Sequence, residues 1–202
     1  MKNLALLSVL VCSLTAATIA QAGEYNSVLN IGDAAPAWKD LPGVDGKKHS
    51  LADLKDKKAV VVVFTCNSCP FAVAYEDRIL AIVKKYADRV AVVAINVNRV
   101  PEDSLEKMKE RSSEKKFTFP YLFDESQKIA KDYGATFTPE FFVLGQDRKI
   151  VFMGGMDDNS DESLVKAKYL EAALDATLEG QKPKVAEAAA PGCRIRYARE
   201  RR

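Results

Sequence analysis

Cys66-Asn67-Ser68-Cys69 places two cysteines with two residues between them, directly after an apolar run, Ala59-Val60-Val61-Val62-Val63-Phe64-Thr65. Downstream the hydrophobic period turns helical. A strand that delivers a C-x-x-C pair to a helix start suits thiol–disulfide exchange. The helix N-terminus carries about half a positive elementary charge. That field favours the thiolate, the species that attacks a disulfide. The second thiol can close a ring onto the first and release a mixed-disulfide partner. A third cysteine, Cys193, lies far downstream among arginines. Three readings are open for it: a free thiol, an intermolecular link, or an accessory redox centre exchanging with Cys66 or Cys69. The last requires the C-terminal tail to fold back onto the pair. Nearby arginines lower the pKa of an exposed thiol.

The elements that must position the pair follow from periodicity. Lys58 to Phe64 is a near-continuous β-branched run, which marks a strand buried on both faces, and Arg89 to Val97 reads as a second. Between them Ala72, Tyr75, Ile79, Ile82 and Tyr86 recur at spacings of three and four, predicting one helix from Cys66 to Ala87. Pro70 falls in its first turn, where a missing N–H does little damage. Pro101-Glu102-Asp103 opens a polar helix to about Lys116, acids first and lysines last. Tyr121 to Phe123 fits a short strand, and Asp124 to Tyr133 a short helix closed by Gly134. Glu140–Leu144 and Lys149–Met153 form a hairpin around Gly145-Gln146-Asp147-Arg148. Asp161 should cap a last helix with Leu164, Ala167, Leu170, Leu174 and Leu178 on its inner face. Upstream, Val44-Asp45-Gly46-Lys47 marks a hairpin and Ser50-Leu51-Ala52-Asp53 a capped turn. Strands alternating with helices, then a hairpin and a terminal helix, predict an α/β domain: a central mixed sheet flanked by helices.

The 202 residues suit one domain, at 31–180, between a flexible lead at 23–30 and a basic tail at 181–202. The net charge is only +2, and Arg194, Arg196, Arg199, Arg201 and Arg202 account for more than all of it. That balance argues against nucleic acid as a partner. Lys2, the apolar stretch Leu4 to Val11 and Ala20-Gln21-Ala22 before Gly23 fit a signal peptide over 1–22, cleaved near Ala22-Gly23. The alternative, a retained anchor, has a run shorter than the ~20 residues a span needs. The expected location is therefore the periplasm or beyond. Cleavage leaves an odd cysteine count, unlike a structural disulfide framework. In an oxidising compartment a C-x-x-C pair stays reduced only if a reductant is supplied.

This layout, with Cys66-Asn67-Ser68-Cys69 and Thr138-Pro139, resembles the thioredoxin fold and most of all the exported thioredoxin-like redoxins. One subgroup carries motifs that occur here at Phe64 to Pro70, Tyr75 to Arg78, Val93 to Asn96, Pro101 to Ser104, Asp157 to Asn159 and Gly192 to Ile195. The resemblance implies a thioredoxin fold with an N-terminal extension and a C-terminal tail. It implies Cys66 as an exposed nucleophile and Cys69 as a more buried resolving thiol. Pro139 would be cis, presenting the Thr138 backbone to an extended substrate chain. The implied partners are protein disulfides or dithiols and a membrane or soluble electron donor. No cofactor is expected, and the chain is expected to act as a monomer. Thr65 stands where thioredoxins have tryptophan, and Ser68 where the subgroup often has histidine. Val60 to Val63 offer no buried carboxylate to take the Cys69 proton. Glu140 is the candidate substitute; the other reading is an exposed acid at a strand start.

Two other chemistries are weighed on the residues. A thiol-dependent peroxidase of peroxiredoxin type would show P-x-x-x-T-x-x-C. Neither cysteine has the proline or the threonine in register. A zinc set could be drawn from Cys66, Cys69, Cys193 and His49, but lacks a second close-spaced ligand pair. Copper delivery on this fold uses C-x-x-x-C-P and a downstream histidine, which this chain lacks. Asp157-Asp158-Asn159 reads as a turn and cap, without the ligand spacing of a calcium loop.

Overall fold

The computed structural model describes residues 23–198. The proposed signal peptide and Arg199, Arg201 and Arg202 lie outside the described residues. A short antiparallel pair, β1 (Leu41–Pro42) and β2 (Lys48–His49), brackets the predicted Val44–Lys47 turn. Ser50 and Asp53 then form a capping box around a 3₁₀ turn.

β3 (Ala59–Phe64) is the central strand, and all six of its residues are fully buried. That is the expected result of a β-branched run with no polar face. α1 (Pro70–Ala74) and α2 (Glu76–Tyr86) follow, then β4 (Val90–Asn96), parallel to β3. α3 (Leu105–Lys115), capped by the Ser104 hydroxyl, leads to β5 (Tyr121–Phe123), parallel to β4. α4 (Lys128–Tyr133) ends at Gly134, whose φ of 65° is the left-handed closure that glycine favours. β6 (Phe137–Thr138) precedes the hairpin of β7 (Glu140–Leu144) and β8 (Ile150–Gly154), with β7 antiparallel to β3. α5 (Tyr169–Leu178), β9 (Glu187–Ala188) and β10 (Cys193–Arg194) complete the chain. The main sheet runs β5-β4-β3-β7-β8-β9.

Alternation along β3 divides the core. Val61 and Val63 face one layer with Ile79, Ile82, Met108, Leu170 and Leu174. Val60, Val62 and Phe64 face the other with Trp38, Leu51, Ile129, Tyr133 and Ile195. No helix among the described residues is long and apolar enough to cross a membrane.

Four sequence expectations change in detail. The helix expected from Cys66 to Ala87 starts at Pro70 and breaks at Tyr75, where ψ is −8°. The buried Tyr75 hydroxyl donates to Asp157 Oδ1 at 2.8 Å, and the Arg78 guanidinium lies over its ring. The last helix begins at Tyr169, not after Asp161, which caps only a 3₁₀ turn. Asp158 accepts the Lys166 and Ala167 N–H groups and holds that stretch out of a helix, leaving Leu164 exposed. The lead is fastened: buried Asn26 accepts from Val28 and Leu29 N–H and donates to Tyr133 O. The tail past 180 carries two strands, β9 parallel to β8 and β10 antiparallel to β6.

Candidate active site

The C-x-x-C turn sits between the end of β3 and the start of α1. β3 ends at Phe64, opposite both Ile95 and Glu140. Thr65 N–H still donates to Ile95 O, which carries the strand's direction into Cys66. Cys69 is the N-cap of α1, extended at φ −95° and ψ 119°, and its sulfur accepts the Ala72 N–H at 3.5 Å. A thiol that caps a helix meets the unsatisfied N–H groups directly.

Thr138 faces both cysteines. Its Oγ1 lies 3.5 Å from Cys66 Sγ, and its carbonyl accepts the Cys69 thiol at 3.1 Å. The Thr138–Pro139 peptide is cis. Cys193 packs against the same cluster from β10, and all three thiols are reduced.

The expected exposure of Cys66 is corrected. Cys66 is 3 % exposed and Cys69 2 %, so both sulfurs are covered. The cover includes Thr138 and the returning tail. The neighbouring Cys66 and Cys193 thiols and the Ala72 N–H draw the pKa of Cys69 down, against the opposing effect of burial. Cys66 and Cys193 are held above the ordinary thiol range. Cys66 is raised first by its bond to Cys69, then by burial and by the nearby Asp103 carboxylate. Cys193 is raised by its bond to Cys69, with Arg196 pulling weakly the other way.

Asp103 was read in the sequence as a helix-opening acid within the Pro101 to Ser104 motif, with no role at the cysteines. It is fully buried and grips the turn. Oδ1 accepts the Asn67 N–H at 2.7 Å and the Ser68 N–H at 3.0 Å, and Oδ2 accepts the Ser68 hydroxyl at 2.6 Å. Its carbonyl is held in turn by Asn96 Nδ2 at the end of β4. Asn67 closes the clamp by donating to Glu102 O and accepting from the Tyr121 hydroxyl. Ser68 therefore has a use that histidine at this position would not serve in the same way. The signal available in the sequence was the Pro101 to Ser104 motif, which by itself does not say that its acid reaches the C-x-x-C turn.

Glu140 is buried, which overturns the reading of an exposed strand-start acid. Its Oε2 accepts the Thr136 and Phe137 N–H groups, so the carboxylate shapes the loop that carries Thr138. Burial pushes its pKa up, and those two N–H groups partly offset the rise. His49 is paired with Asp45 at 3.1 Å. Among the described residues no group of three or more His, Cys, Asp or Glu is arranged to hold a metal ion. Asp157 is engaged by Arg78 at 2.6 Å and by Tyr75.

The family model described as Redoxin matches residues 30–169. The chain belongs to the redoxin family. This redoxin is similar to a thioredoxin-like protein, YneN, of Bacillus subtilis strain 168, at 30% identity over 117 residues. That match covers 57% of this chain and 65% of the relative, so the redoxin spans just under two thirds of the curated protein it matches. A solved structure of a hypothetical protein from Sinorhizobium meliloti 1021 is similar at 35% identity and a TM-score of 0.80, covering 86% of this chain and 97% of that one. The thioredoxin domain of a thiol-disulfide oxidoreductase from Bacteroides vulgatus shares the fold, with 22% identity, a TM-score of 0.54 and coverage of 62% and 88%. The redoxin therefore has the thioredoxin fold.

Proposed function

We propose that this redoxin exchanges disulfides with exported proteins through the Cys66–Cys69 pair. The observation that carries the reading is the meeting of both sulfurs at Thr138, within 3.5 Å and 3.1 Å, at the edge of β6. Cys66 attacks one sulfur of the substrate disulfide, and the other leaves as a thiolate. Cys69 then attacks Cys66 Sγ in the mixed disulfide, the substrate's second thiol leaves, and Cys66–Cys69 closes. An extended substrate would lie along the Thr138 backbone, beside Pro139. A dithiol donor returns the pair to its reduced state. Export rests on Lys2, Leu4 to Val11 and Ala20-Gln21-Ala22.

Cys66→Ser should abolish thiol-coupled insulin reduction. Cys69→Ser should instead accumulate a mixed disulfide at Cys66, visible on non-reducing gels. Retained turnover in the first variant, or no adduct in the second, would refute these roles; the opposite pattern would exchange them.

A further inference from the structure

Three thiols meet at the head of α1, and the third arrives on a built dock. β10 runs antiparallel to β6 with Cys193 directly opposite Thr138. Thr138 Oγ1 donates to the Cys193 carbonyl at 3.4 Å. Gly192 permits this approach, because a Cβ there would run into the Thr138 carbonyl. Past Cys193 the chain is tied down residue by residue. Ile195 N–H donates to Thr136 O at 2.9 Å, and its side chain is buried in the core. Arg196 N–H donates to Asn98 Oδ1 at 3.1 Å. Gln127 donates to Arg196 O and accepts from Ala198 N–H. The Tyr197 hydroxyl donates to Ala135 O at 2.6 Å.

The place of docking is what matters. The Thr138 backbone is the edge that an extended substrate would take, and β10 already takes it. The tail thus stands where a substrate chain would lie, with a cysteine beside the redox pair. Cys193 packs against the small buried cluster of Cys66, Cys69 and Ala72. Cys193 is also the more open of the three, only partly buried against the cluster.

Resting on the disulfide-exchange reading above, we propose that Cys193 is a third redox thiol, which draws the disulfide from Cys66–Cys69 onto Cys69–Cys193. The Cys193 thiolate attacks Cys69 Sγ. A Cys193–Cys69 bond forms, the Cys69–Cys66 bond breaks, and its electron pair leaves on Cys66. Cys66 takes up the proton that Cys193 released. No electrons enter or leave, because the oxidising equivalents are those the substrate disulfide delivered. The step frees the Cys66 thiol, pins the tail across the Thr138 edge, and carries the disulfide to a sulfur that an external dithiol can reach.

The test uses the full chain, oxidised with one equivalent of diamide, acid-quenched, alkylated and mapped by non-reducing peptide mass spectrometry. The wild type should give both Cys66–Cys69 and Cys69–Cys193 cross-linked peptides, and Cys66→Ser should give Cys69–Cys193 within a monomeric chain. Gly192→Val, which lifts β10 from Thr138, should lower the Cys69–Cys193 yield at least tenfold while Cys66–Cys69 still forms. Cys193 alkylated in every sample while Cys66–Cys69 forms would overturn the relay and leave the two-cysteine exchange standing. Failure of Cys66–Cys69 to form in the wild type would overturn both. A Cys193 bond found only between chains, or undiminished in Gly192→Val, would also overturn the relay.

Discussion

Two walls enclose the C-x-x-C turn, and they are built differently. The wall around Asp103 holds the turn by its backbone. One buried carboxylate takes two N–H groups and a hydroxyl, and its own carbonyl is fastened to β4. The wall around β10 holds nothing of the turn's backbone. It is a two-residue ladder with Thr138 opposite, secured by Ile195, Tyr197 and side-chain bonds from Asn98 and Gln127. In the first wall Asp103 is fully buried and tied to the end of β4 through Asn96. The second can lift while the six-stranded sheet stays intact, because low-stability segments open locally. A buried reactive pair needs one wall of each kind: one to keep the geometry and one to admit a partner.

The largest expected effect is on the fixed wall. Asp103→Ala removes the acceptor of two half-buried N–H groups and a hydroxyl. Hydrogen bonds to charged groups are worth about 1.5–3 kcal/mol each, and orphaned buried donors cost about as much. The global unfolding free energy should fall by about 3 kcal/mol, read by urea denaturation. Asp103→Asn keeps an acceptor and should recover most of that loss. Because the Asp103 charge is one of the causes that raise Cys66, the Asn variant should also shift Cys66 alkylation to lower pH. An unchanged profile with restored stability would limit Asp103 to a structural role.

The movable wall predicts a different signature. Ile195→Ala removes a buried anchor, and such truncations cost about 2 kcal/mol or more. Here local undocking limits the global loss. The urea midpoint should move little, while the population with an open tail rises up to about 30-fold for a 2 kcal/mol change. Cys66 alkylation under native conditions should rise in proportion. A midpoint shift as large as that of Asp103→Ala, with no gain in alkylation, would mean that the two walls do not differ.

The same contrast explains what could be read from the sequence. β3 was legible because Val60 to Val63 leave no polar face, so a doubly buried strand is the only outcome. The α2 stripe of Ile79, Ile82 and Tyr86 was legible for its period. The break at Tyr75 was not, because the buried bond that accompanies it comes from Asp157, 82 residues away. Leu164 was drawn into a helix by spacing alone, whereas Asp158 claims the N–H groups that a helix would need. Cys66 and Cys69 announce themselves by residue type, whereas Pro139 stands out only through the resemblance to the thioredoxin fold. Asp103 reaches Asn67 across 36 residues, and its role depends on burial that no local pattern encodes. β10 is two residues long and has no periodicity to detect. Its register comes from Gly192 and Thr138, which meet only in the folded chain.

The smallest expected effect concerns the loop on which the movable wall lands. Glu140 holds the Thr136 and Phe137 N–H groups, and burial raises its pKa above the unfolded value. A raised carboxyl means that the folded state binds more protons than the unfolded state in the window above the ordinary glutamate pKa of about 4.3. Stability is therefore greatest below that window and falls as pH rises through the folded pKa. Glu140→Gln keeps an oxygen for both N–H groups and has no charge to bury. Its melting temperature from pH 4 to 8 should lack the wild-type decline, so the two curves converge at the acid end and part above it, with the variant higher. Parallel curves would mean that the carboxylate is already compensated by its two donors, and that β6 presents Thr138 equally well whether Glu140 is charged or neutral.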